Sequence, residues 1–436
     1  MKTLIKNGYV IDPDNKIKGN YDILIANKQI IKIKKSINTE DQKNQQIIKL
    51  NGEIVLPGLI DIHTHLREPG FESKETIKTG CEAAAAGGFT TIACMPNTDP
   101  AVDNSATVEY IKSKADQAVI NVLPIGSITK KREGKVLSEI DSLKQAGIKA
   151  ISDDGNPVMN NNIMRKAMEL ANSLDLPVIS HCEDLNLVGE GVMNEGHYST
   201  KLDLKPIPSV AEDIMIARDI LLTEFTGASL HIAHLSTKKG LELIKNARKK
   251  GINVTVEVTP HHLILTDEAV KGYDPSTKVN PPLRSSQDRD ALIEGLEKGD
   301  IDAIATDHAP HTFQDKEGEF DNAANGISGL ETALSLIYTN FIQSGVIDWT
   351  DLVHYMNINP ATIIGIENNG LKEGTTADLI IFDPNREWQV KTDKLKSKGK
   401  NTPFTGQKLI GKNIMTIKNG NIVYDDRSDQ SEIIYR

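Results

Sequence analysis

Two histidines one residue apart, His63 and His65, close the apolar run GLIDIHTHL. On a strand, residues two apart point to the same side, so both imidazoles can reach one metal ion. Such a pair carries little weight alone. Asp154, His181, His234 and Asp307 give it more, because each stands at the end of an apolar run and precedes a loop. Four imidazoles and two carboxylates form a nitrogen-and-oxygen donor set suited to zinc. Six donors exceed the four of a usual zinc site, so the set reads as two ions. Ions held in this way lower the pKa of bound water and make a nucleophile available near neutral pH. The implied chemistry is hydrolysis.

The remaining histidines divide by position. His231 lies three residues before His234, and period-two alternation turns it to the opposite face, a structural place. His261 and His262 follow a later apolar run and can line the same mouth, although nothing assigns them as ligands. His197 and His354 stand in polar or helical contexts and read as surface or packing residues. His311 lies four residues past Asp307, in a loop over the site, and is a substrate-binding candidate. Cys81, Cys94 and Cys182 are odd in number, lack metal-type spacing and sit in small or apolar stretches, as buried thiols of a reducing cytosol do.

Donors at the tips of successive runs need a scaffold that gathers strand ends. Between about Pro57 and Gly370, GLIDIHTHL, TTIACMPN, VINVLPIGSI, IKAISDD, PVISHCE, LHIAHLS, VTVEVTPHH and DAIATDHAPH alternate with amphipathic helical stretches. β-then-α units in series predict a parallel barrel whose strand C-termini carry the chemistry. Both chain ends have a different texture. TLIKNGYVID and DILIANKQIIKIKK near the start, with ADLIIFDPNREWQV and GKNIMTIKNGNIVYD near the end, alternate apolar and polar residues around Asn-Gly and Asp-Pro turns. The expected fold is α/β: a (β/α)8 TIM barrel over residues 56–369, with a small composite β domain of residues 1–55 and 370–436.

A chain of 436 residues exceeds the usual size of one compact core, for which α/β barrels are the main exception. Hydrophobic residues at 39% and charged residues at 25% fit a globular enzyme. The net charge of −10 argues against a nucleic-acid surface, yet one buried arginine can still serve an anionic small substrate. The polar start is unlike a signal peptide and no apolar run is long enough to span a membrane, so a cytoplasmic location is expected.

Taken in order, VLPGLIDIHTHLREPGFESKETI, MPNTDP, SDDG, SHCED, IAHLST, VTPHHL, NPPLR and ATDHAPH resemble the motif series of the dihydroorotases, specifically the bacterial class I type within the amidohydrolase superfamily. The resemblance runs from about Leu56 to Thr332, and the flanks resemble that family's composite β domain. It implies reversible, zinc-dependent interconversion of dihydroorotate and N-carbamoyl-L-aspartate in pyrimidine biosynthesis. It further implies that His63, His65 and Asp307 bind one zinc and that His181 and His234 bind a second, with an aspartate and a hydroxide as bridges. Asp154 is the matching aspartate. Asp153 is its rival if the register is off by one, and Lys149, earlier in the same run, is another. Asp307 is implied as general base and then general acid. Arg67 is implied to hold the substrate carboxylate through a planar, bidentate guanidinium. His65, Asn97, Asn280 and His311 are implied as further substrate contacts, and Asn325 and Gly326 as backbone contacts to the ring, with glycine permitting close approach. Asn97 and Asn280 also fit plain turn chemistry beside prolines.

Three other readings compete. Hydantoinases and allantoinases share the HxH pair and the barrel plan but lack LREPG together with MPNT. A non-catalytic homologue acting as an assembly partner would lack ligands at the mouth, whereas every expected position here holds a competent residue. A sugar- or phosphate-binding barrel would carry a Gly-rich loop where PHH and DHAPH stand. The resemblance leaves open a homodimer and an association with aspartate transcarbamoylase on which activity depends.

Overall fold

The computed structural model describes residues 2–38, 45–427 and 433–435. Its architecture is α/β. Strands Leu59–Thr64, Phe89–Cys94 and Asn121–Pro124 pair in parallel, in chain order. Val178–Ser180, Leu230–Ile232, Val254–Val258 and Ala303–Ile304 form a second parallel set. Single parallel bridges join the two sets: Gly126 to Ile151 and Ile151 to Val178 on one side, Thr64 to His308 on the other. The succession of pairings therefore returns to the strand where it began.

The run IKAISDD was expected as a full strand, and here the structure differs. Only Ile151 forms bridges, although the segment bonds to both neighbours through Lys149 N to Pro124 O, Ile151 N to Pro177 O and Ile179 N to Ile151 O. Pro124 and Pro177 flank it and have no N–H to return, which interrupts the ladder on both sides.

Adjacent residues on a strand enter different cores. Ile92, Val178 and Ile232 pack among helix residues such as Met168, Ile216 and Ile244, whereas Ala93, Ile179 and Ala233 pack against one another. Parallel strands buried on both faces read as continuous apolar runs, which is why histidines and aspartates at their tips stand out. Between strands, helices start on side-chain caps: Thr76 for Ile77–Gly87, Asn160 for Asn161–Ser173, Thr237 for Lys238–Lys249 and Ser285 for Ser286–Glu297.

Among the described residues, both chain ends meet in one nine-stranded sheet. Ile54–Pro57, just before the first parallel strand, lies between the N-terminal strand Lys2–Asp12 and the C-terminal strand Leu379–Gln389. The small-residue helix Ile77–Gly87 docks on this sheet, where Asn413 Nδ2 and Thr416 Oγ1 donate to the carbonyl of Ala85. The sheet is thereby fixed to the parallel layer.

Candidate active site

Eleven of the twelve predicted site residues meet at one feature: a cavity of about 220 Å³ at the C-terminal ends of the parallel strands. His65, Arg67, Asn97, Asp154, His181, His234, Asn280, Asp307, His311, Asn325 and Gly326 line it, and His63 lies buried beneath. Asp154 occupies the centre of the donor cluster. Its Oδ1 is 3.4 Å from His63 Nε2, 3.5 Å from His234 Nε2 and 3.7 Å from His181 Nδ1, while its Oδ2 is 3.5 Å from His65 Nε2. Asp307 Oδ1 lies 2.9 Å from His65 Nε2 and 3.6 Å from His63 Nε2.

The two rivals of Asp154 are elsewhere. Asp153 accepts hydrogen bonds from Thr129 N and Thr129 Oγ1. Lys149 lines a larger cavity, of about 390 Å³, with Gly58, Thr90 and Asn121 at the opposite ends of the strands. Size does not identify the reactive cavity; the convergence of donors does.

Three site residues have left-handed backbones: Arg67 at φ 63°, His234 at φ 34° and Asp307 at φ 45°. Non-glycine residues seldom adopt this region, and such strain gathers where side chains must be aimed. His234 illustrates its use. Leu230 and Ile232 face the helix-side core, so His231 between them faces inward, not to the opposite face that alternation from His234 predicts. His234 reaches the cluster because its positive φ breaks the alternation.

The donors fit a metal. Among the described residues, His63 Nε2 and Asp154 Oδ1 are buried without a hydrogen-bond partner, and His181 Nδ1 and His234 Nε2 face each other at 2.9 Å. Lone pairs converging in this way call for a shared cation. Two groups have donor atoms all within 4.8 Å of one another: His63, His65 and Asp307, and His63, Asp154 and His234. Burial opposes charge on His63, His65, Asp154, His181 and Asp307. The opposite charges nevertheless prevail at Asp154, held well below the usual carboxylate range chiefly by His63 and His234, and at Asp307, held low by His65 and His63.

The chain as a whole is similar to known proteins. The family described as "Dihydro-orotase-like" matches residues 52–240. The dihydroorotase of Syntrophus aciditrophicus (strain SB) is 51% identical over 427 residues, covering 98% of this chain and 100% of that protein. The dihydroorotase of Caldanaerobacter subterraneus subsp. tengcongensis is 54% identical over 426 residues, covering 97% of each. The chain belongs to the dihydroorotase family. Among solved structures, the L-hydantoinase (dihydropyrimidinase) from Arthrobacter aurescens superposes with a TM-score of 0.86 at 25% identity, covering 99% of this chain and 97% of that one. As a dihydroorotase-family member with such neighbours, the chain is a cyclic-amide hydrolase.

Arg67 lines the same cavity. Its Nε donates to Pro310 O at 3.2 Å. Burial lowers its pKa to about 10, so it stays cationic at neutral pH. His311 is neutral, because burial first and then Arg67 and Lys74 push it down to about 3. Its Nε2 lies 2.8 Å from Asn325 O and its Nδ1 3.3 Å from Lys74 Nζ. Arg67 Nη2 lies 3.3 Å from the same Nε2. In the tautomer that donates from Nε2 to Asn325 O and accepts from Lys74, Nη2 finds no acceptor there, which suits the guanidinium to an anion. Asn97 also has a protein role: its Oδ1 is 2.9 Å from His65 Nδ1 and fixes that ring with Nε2 toward Asp307. Asn280 Nδ2 donates to Glu183 Oε2, which is 3.3 Å from His181 Nε2. His261 and His262 do not line the cavity. Both are buried in the turn Pro260–Ile264, with His262 bonded to Thr259 Oγ1 and Pro281 O. His197 is exposed and His354 half-buried, as expected, and Cys182 is buried beside Ser180 and Asp219.

Sequence reasoning missed Glu257. Fully buried, it receives His63 Nδ1 at 2.5 Å on one oxygen and His231 Nε2 at 3.1 Å on the other, with His234 N at 3.2 Å. With Nδ1–H donating here, Nε2 is the nitrogen turned toward Asp154, where an ion would take the place of its proton. Glu257→Gln is expected to weaken divalent-ion affinity roughly 10- to 100-fold, the usual cost of losing an outer partner of a ligating histidine. Chelator competition measures it, and unchanged affinity would reduce Glu257 to a core residue.

Lys316, also missed, braces the loop after the last parallel strand through bonds to Pro275 O and Lys278 O. Burial first, and then the charge of Lys278, push it from 10.5 down to about 7. Between those values the folded chain holds fewer protons at this site than the unfolded one, so the Lys316 contribution to stability rises with pH over that window. Lys316→Met should flatten the rise of Tm between pH 7 and pH 9; an identical slope in both proteins would contradict this.

Proposed function

We propose that the chain is a dihydroorotase: it catalyses the reversible hydrolysis of dihydroorotate to N-carbamoyl-L-aspartate, a step of de novo pyrimidine biosynthesis. One observation carries the reading: a buried arginine shares a single cavity with the histidine–aspartate cluster. A ring amide and a carboxylate are thereby offered complementary partners in one place. The near-full-length relatives named dihydroorotase support it.

In this reading His63, His65 and Asp307 would hold one zinc ion and His181 and His234 a second, with Asp154 as a ligand common to both groups. When bound, the ions make water acidic enough to attack near neutral pH and polarise the scissile carbonyl. Arg67 binds the substrate carboxylate, with His311, Asn97 and Asn280 beside it. The backbone of Asn325 and Gly326 approaches the ring, at a position where an added Cβ would lie 2.6 Å from Ala309 O. Asp307 is ionised, and its carboxylate can take the proton of the attacking water, then return it to the leaving ring nitrogen. In the cyclising direction the same carboxylate removes the proton from the attacking nitrogen.

The parallel segments are read as a (β/α)8 barrel over residues 56–369, and residues 1–55 with 370–436 as its composite β domain. Among the described residues no helix is long and apolar enough to cross a membrane. A cytoplasmic homodimer, or a complex with aspartate transcarbamoylase, fits the family reading.

The L-hydantoinase likeness favours one second reading, ring opening of a hydantoin. Steady-state assays of dihydroorotate, hydantoin and allantoin separate the two. Dihydroorotate should exceed the others in kcat/KM by about 10²-fold or more, because a substrate without a carboxylate leaves the Arg67 guanidinium buried and unpaired. Turnover of hydantoin or allantoin with none of dihydroorotate would overturn the assignment.

A further inference from the structure

Between the C-terminal strands Leu379–Gln389 and Lys408–Lys418 the chain leaves the terminal sheet and runs to the mouth. It packs there without clearance: a Cβ added at Gly399 would lie 2.5 Å from Pro310 Cβ and 2.7 Å from His311 N. Two residues on, the Asn401 side chain spends all its hydrogen-bonding capacity on two loops. Its Nδ2 donates to Ala309 O at 3.0 Å and to Gly326 O at 2.9 Å. Its Oδ1 accepts from His311 N at 2.8 Å and from Ser328 Oγ at 3.0 Å. Two donors and two lone pairs are thus filled, and the residue is only 7% exposed.

The bonded groups surround the substrate side. Ala309 O and His311 N flank Pro310, whose carbonyl accepts from Arg67 Nε. Proline has no N–H of its own, so its neighbours must anchor this turn. Gly326 O follows Asn325, whose carbonyl is bonded to His311 Nε2. One carboxamide therefore sets the spacing between the loop that orients Arg67 and the loop that presents Asn325 and Gly326. Aspartate has the same shape, but it would face the carbonyls of Ala309 and Gly326 with an oxygen in place of two donors.

We infer that Asn401, supplied by the C-terminal segment, is a positioning residue for the substrate-carboxylate side of the site, acting through residues 309–311 and 326 without touching substrate. The inference rests on the reading that Arg67, His311 and Asn325 hold substrate.

The test uses the full chain loaded with metal. Asn401→Asp and Asn401→Ala should raise KM for dihydroorotate about tenfold or more, with kcat within about threefold and metal content per chain unchanged. A purely structural role would not separate KM from kcat. Asn413→Ala is the control: this buried side chain bonds Ala85 O, Ala86 O and Thr416 Oγ1 in the terminal sheet. It should lower Tm and leave KM in place. If the Asn401 variants behave like Asn413→Ala, the inference is overturned. If they do not fold, Ser328→Ala decides, since it removes one of the four bonds along with the Ser328 Oγ contact to Gly399 O in the same segment: a KM raised severalfold supports the tie and an unmoved KM refutes it. Arg67→Lys is run in parallel. An unmoved KM there sinks the substrate reading itself, whereas a raised KM there with none in the Asn401 variants sinks the tie alone.

Discussion

Asp307→Asn is expected to lower kcat for dihydroorotate roughly 10²- to 10⁴-fold in both directions, the range of a lost general acid–base group. The substitution preserves shape and keeps an oxygen where Oδ1 stands, 2.9 Å from His65 Nε2. It removes the ability to carry a proton. Asp307 is 6% exposed and held at φ 45°, so its aim is fixed by backbone strain and burial together. Asp307→Glu should also be poor, because displacement by about 1 Å can itself cost roughly 10²-fold. Metal content must be measured alongside, since Asp307 also belongs to the donor group with His63 and His65. The decisive pattern is a variant that retains metal and binds substrate but does not turn it over. Retained metal with kcat within about threefold of the parent would remove Asp307 from the proton path.

Much of this site was legible in the sequence for one physical reason. Strands buried on both faces are continuously apolar, so a histidine or aspartate that ends one is conspicuous, as at His63, His181 and Asp307. The rest depended on information that a run of residues does not contain. The short bridge at Ile151 reflects prolines on two other segments. The inward turn of His234 reflects a φ angle, and it also explains why alternation misplaced His231. Glu257 did leave a signal, a charge inside the apolar strand VTVEV, since a carboxylate in such a place requires partners. Asn401 left none. Its partners are 73 to 92 residues away, and the stretch around it reads as part of the terminal β domain. Register was the remaining ambiguity: Asp153 and Asp154 are neighbours, and the tie of one to Thr129 and of the other to the imidazoles separates their roles.

That separation gives the second large effect. Asp154 places one carboxylate among four imidazoles, with its own carbonyl held by Arg132 Nη1 at 2.9 Å. Asp154→Asn should therefore lose metal beyond the roughly 10- to 100-fold weakening that an outer partner causes, and activity should fall with it. In chelator the same variant should keep most of its Tm. Imidazoles deprived of their anion can shed protons, so they need not remain buried and charged. Asp153→Asn should do the reverse. Its carboxylate, raised to about 6 chiefly by burial, serves Thr129, so the loss falls on Tm and the metal stays. Lys149→Ala should change neither, because Lys149 lines the cavity at the other ends of the strands. Elemental analysis and thermal denaturation of the three variants, with and without chelator, distinguish these outcomes. If Asp153→Asn lost the metal and Asp154→Asn kept it, the four-imidazole geometry around Asp154 would not be the one that holds the ions.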